Sequence, residues 1–495
     1  MNDEASQSVE DLRRAERDVE AHSRTFRKEL GLRDLVLTQV LFVVGLGWVG
    51  TAARLGPSHA VFWLLAIALF YLPCAAVVTY LARLMPLEGG LYQWTKLGIG
   101  PMAGFLVAWN LWLYVIVNTS EIGLQVTTYL SYALGPGASW MAASRPMITV
   151  AACAIVAGLV VVSAIGLGVG KWLHNAGGVL ILVLFAALVA LPIANAAHGV
   201  APATASFSLA VPAMTLLNLN LLGKMSFGAF GGFEYVAIVA GECRDPVRSI
   251  ARSVVIATPI IAAMFILGTG SVLFFVRPEA IDLIGPIPQV LGIGSRTLGM
   301  AAGIAPVVIM MMTVVRVAQA SINFTGSTRL PMVAGWDRLL PEWFTRLHPR
   351  WRTPVNSILF VGAVTLGVGL ASIVGVGEQE AFQLLNNASG IFYALTYLVM
   401  FVLPIVGVRG AGRAPLWLRM AAASGFVMTL LYVVLSVFPI VQVQSSLSFT
   451  MKITGLIVLA NLVGAAIYVL RGRPVTAPSP APRAQSPSAH DPAAD

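Results

Sequence analysis

Charge is scarce in this chain. Of its 495 residues only 11% are Asp, Glu, Lys or Arg, where a soluble domain carries about 25%. With 57% hydrophobic residues and a mean hydropathy of +0.82, this excludes a soluble globular domain and points to an integral membrane protein. Cysteine is also rare. Cys74, Cys153 and Cys243 lie within or beside apolar runs, without metal-ligand spacing or pairing logic. They are expected to be small buried residues. No H-E-x-x-H, G-x-S-x-G or metal cluster occurs, so no catalytic residue, metal or cofactor is expected and an embedded enzyme is disfavoured. No nucleotide-binding cassette occurs either, so active transport would draw on an ion or substrate gradient. Residues 1–32, with Arg13, Arg14, Arg17, Arg24, Arg27 and Lys28, lack the short apolar core and cleavage site of a signal peptide. They read as a solvated arm.

What is present is a series of apolar runs, each long enough to cross lipid (about 20 residues). Twelve spans are expected, at 34–55, 60–84, 101–134, 147–166, 170–192, 216–241, 253–275, 300–324, 354–374, 380–406, 417–440 and 449–470. The tail 471–495 is rich in Pro, Ala and Ser and is expected to be disordered. The net charge of +9 follows topology. All but seven of the 31 lysines and arginines fall on one side of this arrangement. Arg54, Arg145, Arg277, Arg296 and Lys452 fall on the other, and Lys224 and Arg316 inside spans. The rich side is the cytoplasm by the positive-inside rule. Both termini are therefore expected in the cytoplasm of a multi-pass protein of the cell membrane, whose partner is the bilayer and not nucleic acid.

Two spans have glycine clusters in their middles. The sixth reads Phe227-Gly228-Ala229-Phe230-Gly231-Gly232-Phe233-Glu234 and ends at Gly241-Glu242-Cys243-Arg244-Asp245-Pro246. Each glycine costs about 1 kcal/mol of helix propensity relative to alanine. The first span reads Val43-Val44-Gly45-Leu46-Gly47-Trp48-Val49-Gly50. This spells G-x-G-x-x-G, but its apolar flanks lack the strand that a dinucleotide fingerprint requires. Both clusters read as broken helices, tolerated at membrane depth only where protein or a water-filled cavity surrounds them. They lie five spans apart, an odd offset that makes two five-helix halves inverted copies. Paired interrupted spans point to a transporter site. Their free N–H groups suit a carboxylate and their free carbonyls an ammonium. The alternative is close helix packing.

The chain resembles the amino acid–polyamine–organocation transporter family over about residues 30–470. The most specific parts are Gly231-Gly232-Phe233-Glu234 with Gly241-Glu242 and Asp245-Pro246, and the segment Pro86 to Trp94 before the third span. The resemblance implies an all-α membrane fold of five plus five inverted helices, discontinuous in helices 1 and 6, with two further C-terminal helices. The implied divisions are 1–32, 33–195, 196–407, 408–470 and 471–495. It implies an amino acid or related amine held between helices 1 and 6. The carboxylate would meet N–H groups around Gly45, Leu46 and Gly47. The amine would meet carbonyls near Val43 and Val44 and near Phe227, Gly228 and Ala229. There are departures. Trp48-Val49 stands where the family has Ile-Phe, and Gly56-Pro57 comes early. Gly228 aligns where the family often has an aromatic gate, with Phe227 or Phe230 as stand-ins. No lysine lies at Asn175–Gly178, although Lys171 sits at that span's cytoplasmic end.

Ionisable groups inside spans default to functional hypotheses. Glu121 is a candidate for proton coupling or for contact with a cationic substrate group, against a structural ion pair with Lys224 or Arg316. Lys224 either binds a substrate carboxylate or snorkels to the interface. Arg316 either faces the pocket or pairs. For Glu234 the resemblance implies a role beside the helix 6 break, orienting its broken backbone. Ser321, Asn323, Thr325, Asn386, Asn387 and Ser389 line a pathway or bridge helices. The function expected is secondary transport by symport or exchange, with protons as the candidate coupling ion. The alternative is a membrane sensor on the same fold.

Overall fold

A computed structural model describes residues 14, 17, 21 and 28–471, apart from 282–284, 300–302, 337, 373–377, 409–411 and 439–444. Nearly all of the N-terminal arm, and the tail beyond 471, therefore lie outside the described residues. Among those described, every regular element is helical, and the two β-bridges, Leu30 with Cys243 and Val408 with Gly412, are isolated. The chain is a multi-pass, all-helical membrane protein.

The first span is divided into α1 (Leu32–Val43) and α2 (Trp48–Ala53). Then come α3 (Gly56–Leu84), the short α4 (Leu91–Gly98), α5 (Pro101–Leu134), α6 (Arg145–Ile165) and α7 (Leu167–Ala197). The sixth span is divided as well. α8 (Leu216–Gly223) continues into a π-turn, Lys224–Gly228, and α9 (Tyr235–Ile238) follows the break. The remainder comprises α10 (Pro246–Phe275), α11 (Pro286–Thr297), α12 (Pro306–Gly335), α13 (Val355–Leu370), α14 (Leu384–Val406), α15 (Leu416–Ser436) and α16 (Ser446–Arg471). Among the described residues nine of these helices are long and apolar enough to cross a membrane, and α13 is shorter.

Local chemistry explains several boundaries. α10 begins at Pro246, earlier than its apolar run suggests. Asp245 caps it by accepting from the Arg248 N–H at 3.2 Å, and proline at the first helical position loses no hydrogen bond. α5 carries a turn at Glu121, between Ser120 and Ile122. Between the seventh and eighth expected spans lies α11, whose Pro286 stands against Gly50 of α2.

α1 packs between α7 and α10, and α14 packs against α5 and α15. The buried core runs through the divided spans, where Val40, Val44, Phe230 and Phe233 are fully covered. Outward faces are apolar too, with Trp172, Val255 and Leu462 exposed, as suits lipid as solvent. Cys153 departs from expectation. Cys74 and Cys243 are buried, but Cys153 is exposed on the outward face of α6, where lipid rather than protein would cover a small apolar residue.

Candidate functional site

The two divided spans meet. Helix formation in α1 stops at Val44, whose N–H still bonds the Val40 carbonyl but whose ψ of 95° turns the chain out of the helix. The carbonyls of Leu41 and Val44, left over by that stop, both accept from the Gln319 side-chain amide of α12 at 2.9 Å. Gly45, Leu46 and Gly47 bridge to α2, where the Trp48 N–H bonds the Gly45 carbonyl. Their own N–H groups have no protein partner among the described residues. Gly45 is half-buried and Gly47 exposed.

In the sixth span the helix continues past Gly228, through the π-turn, to Phe230. The Phe227 carbonyl accepts from the Gly231 N–H at 2.9 Å. The break itself is Gly231–Glu234. Gly232 has φ +135°, a conformation that favours glycine. A Cβ there would lie 2.5 Å from Phe42 and 3.0 Å from Val43, so the two breaks are in direct contact. The Gly232 N–H donates to the Tyr397 hydroxyl at 2.6 Å. Tyr397 and Tyr393 of α14 both donate to the Glu234 carboxylate. Tyr397 thus links the Glu234 carboxylate to the Gly232 N–H of the broken backbone.

The aromatic residues divide into two groups. Phe227 is enclosed by Phe70, Tyr393, Tyr397 and Tyr432, and Phe230 by Trp63, Tyr71 and Phe265. Both side chains are buried, as is Ala229. The ring that borders the gap between the breaks is the half-buried Trp48, whose indole lies against both Gly45 and Gly228.

The intramembrane charges are not paired with one another. Arg316 donates to the side-chain carbonyls of Gln125 and Asn118, on either side of Glu121 in α5. Glu121 is buried, with its Oε1 atom unpartnered. The ion pairs Lys171–Glu29 and Arg329–Glu242 join described residues, and neither involves Glu121, Lys224 or Arg316. Of the polar residues on α12, Ser321 contacts His174 and Thr325 contacts Ser163, so both bridge helices. Asn323 bonds the Gln319 carbonyl within its own helix. On α14, Ser389 donates to the Tyr114 carbonyl, Asn386 is exposed and Asn387 half-buried.

At the end of the site beside the N-terminal arm, a second polar cluster joins separate elements. The Glu29 and Leu30 N–H groups donate to the Glu242 carbonyl at 3.0 and 3.1 Å. The Lys28 ammonium donates to the Gly241 carbonyl. Glu88, fully buried in the turn before α4, accepts from the Gly241 N–H at 2.6 Å. Arg329, also buried, pairs with Glu242 at 2.7 Å. Gly90, at φ +45°, lets this turn approach the Ala237–Ile238 peptide, where a Cβ would lie 2.8 Å from a backbone carbon. Burial, and secondarily the Glu242 charge, push the Glu88 carboxyl up to about 8, against the opposing pull of Arg329, the Gly241 N–H and Lys28.

Sequence reasoning missed Gln319, Tyr397 and Arg329. A buried arginine requires a partner, but Arg329 stands beside a run of loop cations and reads as one of them. Lys171, considered for its place in α7, is tied to Glu29 at 2.8 Å, and Asn175 donates to Asp34 at 2.7 Å.

Residues 32–461 match the family model described as amino acid permease. An uncharacterized transporter of Mycobacterium tuberculosis is 26% identical over 380 residues, covering 74% of this chain and 79% of that protein. The branched-chain amino acid permease BcaP of Bacillus subtilis is 24% identical over 394 residues, covering 74% and 81%. Among solved structures, that of MhsT in complex with L-phenylalanine superposes with a TM-score of 0.60 at 14% identity, covering 83% of this chain and 99% of the other. That likeness is one of fold.

Proposed function

The chain belongs to the amino acid permease family, and from that premise we propose that it is a secondary transporter. It moves an amino acid or related amine across the cell membrane by alternating access, through proton-coupled symport or exchange. The observation that carries this reading is the direct contact of two broken spans, Gly232 against Phe42 and Val43, beside the unpaired amides of Gly45, Leu46 and Gly47. Neutral zwitterions need N–H donors at one end and carbonyl acceptors at the other, and broken spans provide both without a full charge. The family's relatives, BcaP among them, are named as permeases and transporters, not enzymes.

In this reading twelve crossings are made by the nine long helices, α13 and the two divided spans. Residues 33–195 and 196–407 form inverted halves, followed by the last two spans, α15 and α16, in the division 408–470. The arm 1–32 and the tail 471–495 are cytoplasmic. The substrate carboxylate takes the amides of residues 45–47. The Val44 carbonyl is already engaged by Gln319 and the Phe227 carbonyl by Gly231, so the ammonium is assigned to Val43, Gly228 and Ala229. Glu121, with an unpartnered oxygen at a turn in α5, is the proton-coupling candidate. Lys224, whose ammonium has no ion-pair or hydrogen-bond partner among the described residues, and Arg316 are candidates for selectivity. Uptake of a panel of labelled amino acids and polyamines into proteoliposomes, with and without a pH gradient or internal amino acid, tests the function and separates symport from exchange.

A further inference from the structure

We propose that the Trp48 side chain is a movable wall of the substrate space, seated on Gly228, and that it sets the largest substrate side chain the site admits. This rests on the transport reading above and specifies which residue of that site discriminates among substrates.

Four observations carry it. First, the indole reaches from α2 across to the sixth span. A Cβ at Gly228 would lie 2.6 Å from Trp48 Cη2 and 2.8 Å from Cζ2, and a Cβ at Gly45 would lie 2.5 Å from Cδ1. Real Cβ atoms do not approach this closely, so no larger residue fits at either position unless the indole moves. Both glycines therefore form a seat for this ring. Second, the ring is only half-buried, and Gly45, Gly47 and Gly228 around it are not fully covered either. It borders open space, whereas Phe227 and Phe230 are enclosed by other rings. Third, its N–H is unpaired. The indoles of Trp63, Trp94 and Trp109 donate to Thr269, Met85 and Ala460 respectively. Trp48 Nε1 has no such partner among the described residues. Fourth, no ring stacks on it among the described residues. The half-buried indole packs against the apolar core, and a ring without a polar or stacking partner swings at lower cost than one locked into an aromatic cluster.

The chemistry at the seat is apolar and uncharged. A substrate side chain meeting the indole face is therefore aliphatic or aromatic, and its length is limited by how far the ring stands from the amides of residues 45–47. Shortening Trp48 lengthens that space, and adding bulk at Gly228 closes it. Moving the ring to the other span, by Trp48→Ala combined with Gly228→Phe, rebuilds the same wall from the opposite side.

The experiment measures competition and uptake in proteoliposomes with glycine, L-alanine, L-leucine, L-phenylalanine and L-tryptophan. The variants are wild type, W48A, W48L, G228L and W48A/G228F. W48A should raise the preference for the largest accepted amino acid over the smallest by about tenfold or more, the scale set by one to a few methylene-sized volumes in an apolar pocket. W48L should fall between W48A and wild type, and forms the series with wild type should W48A fail to fold. G228L should exclude substrates that wild type accepts. The double variant should return toward the wild-type order, which lost folding could not produce. An unchanged size order in W48A and W48L, with wild-type transport intact, overturns the proposal and leaves the transport reading standing. Failure of wild type to bind or carry any of the five overturns the proposal, and failure with every member of the wider panel of amino acids and polyamines overturns the transport reading as well.

Discussion

The hydroxyl of Tyr397 stands between the broken backbone of the sixth span and Glu234, accepting the Gly232 N–H at 2.6 Å and donating to the Glu234 carboxylate. A glycine amide in a membrane-buried break has no water to satisfy it, and an unmet buried donor costs about 1–3 kcal/mol. Tyr397→Phe should therefore destabilise the protein by about that amount. Glu234→Gln should destabilise less, because the amide oxygen still accepts from one tyrosine. Since the residues act as one chain, the double variant should cost less than the sum of the singles. Thermal unfolding in detergent reads all three.

Gln319 performs the corresponding task for the first span, donating to the carbonyls of both Leu41 and Val44 at 2.9 Å. Gln319→Leu leaves two carbonyls without their donor and frees the segment that would hold a carboxylate. Loss of one such set of bonds, about 1–3 kcal/mol, would weaken substrate binding roughly tenfold. The expected pattern is a raised KM together with a loss of stability of about 1–3 kcal/mol, measured by uptake kinetics alongside melting.

The cluster beside the N-terminal arm responds to pH. The Glu88 carboxyl titrates near 8 in the folded protein and at about 4.3 when unfolded. The folded state therefore binds more protons between these values. Its contribution is fully present below the unfolded value and is lost as pH rises through about 8. Glu88→Gln keeps an acceptor for the Gly241 N–H and removes the titration. Melting temperatures of wild type should fall relative to E88Q between pH 6 and pH 9, and an identical slope for the two would count against this.

Arg329 and Glu242 form a buried pair. Breaking such a pair from one side costs about 3–5 kcal/mol, because a charge is left uncompensated. Arg329→Met should destabilise by that order. Arg329→Met with Glu242→Gln should recover much of it, as read by chemical or thermal unfolding.

Glu121 has a buried oxygen without a partner at a turn in α5. If it carries the coupled proton, Glu121→Gln should abolish dependence on a pH gradient while leaving substrate binding intact. Wild-type proton dependence in the variant would remove Glu121 from the mechanism.

What could be read from the sequence was set by local pattern. Glycine clusters in two apolar runs marked both divided spans, because glycine weakens a helix wherever it stands. The opening at Gly231–Glu234, with the helix continuing through Phe227 and Gly228, depends on Tyr397, a hydroxyl 165 residues away. No local pattern reports that. Gln319 was likewise invisible, since its two acceptors are more than 270 residues off. Phe227 and Phe230 were stand-ins for the gate that the family resemblance implies at Gly228, but their direction is set by rings from other helices. Trp48 was noted as unusual, whereas its seat on Gly228 required the two spans to be brought together.

The most direct test of the central claim, that the substrate sits between the two broken spans, is substrate protection of a thiol placed in the first break. Gly47 is exposed and has φ −77°, ψ −21°, a conformation any residue adopts. Cys74 and Cys243 are buried, so Gly47→Cys with Cys153→Ser gives one accessible thiol among the described residues. A transported amino acid should slow labelling of that thiol, with half-protection at the concentration that half-saturates uptake. Labelling that continues at its original rate under saturating substrate would contradict the claim.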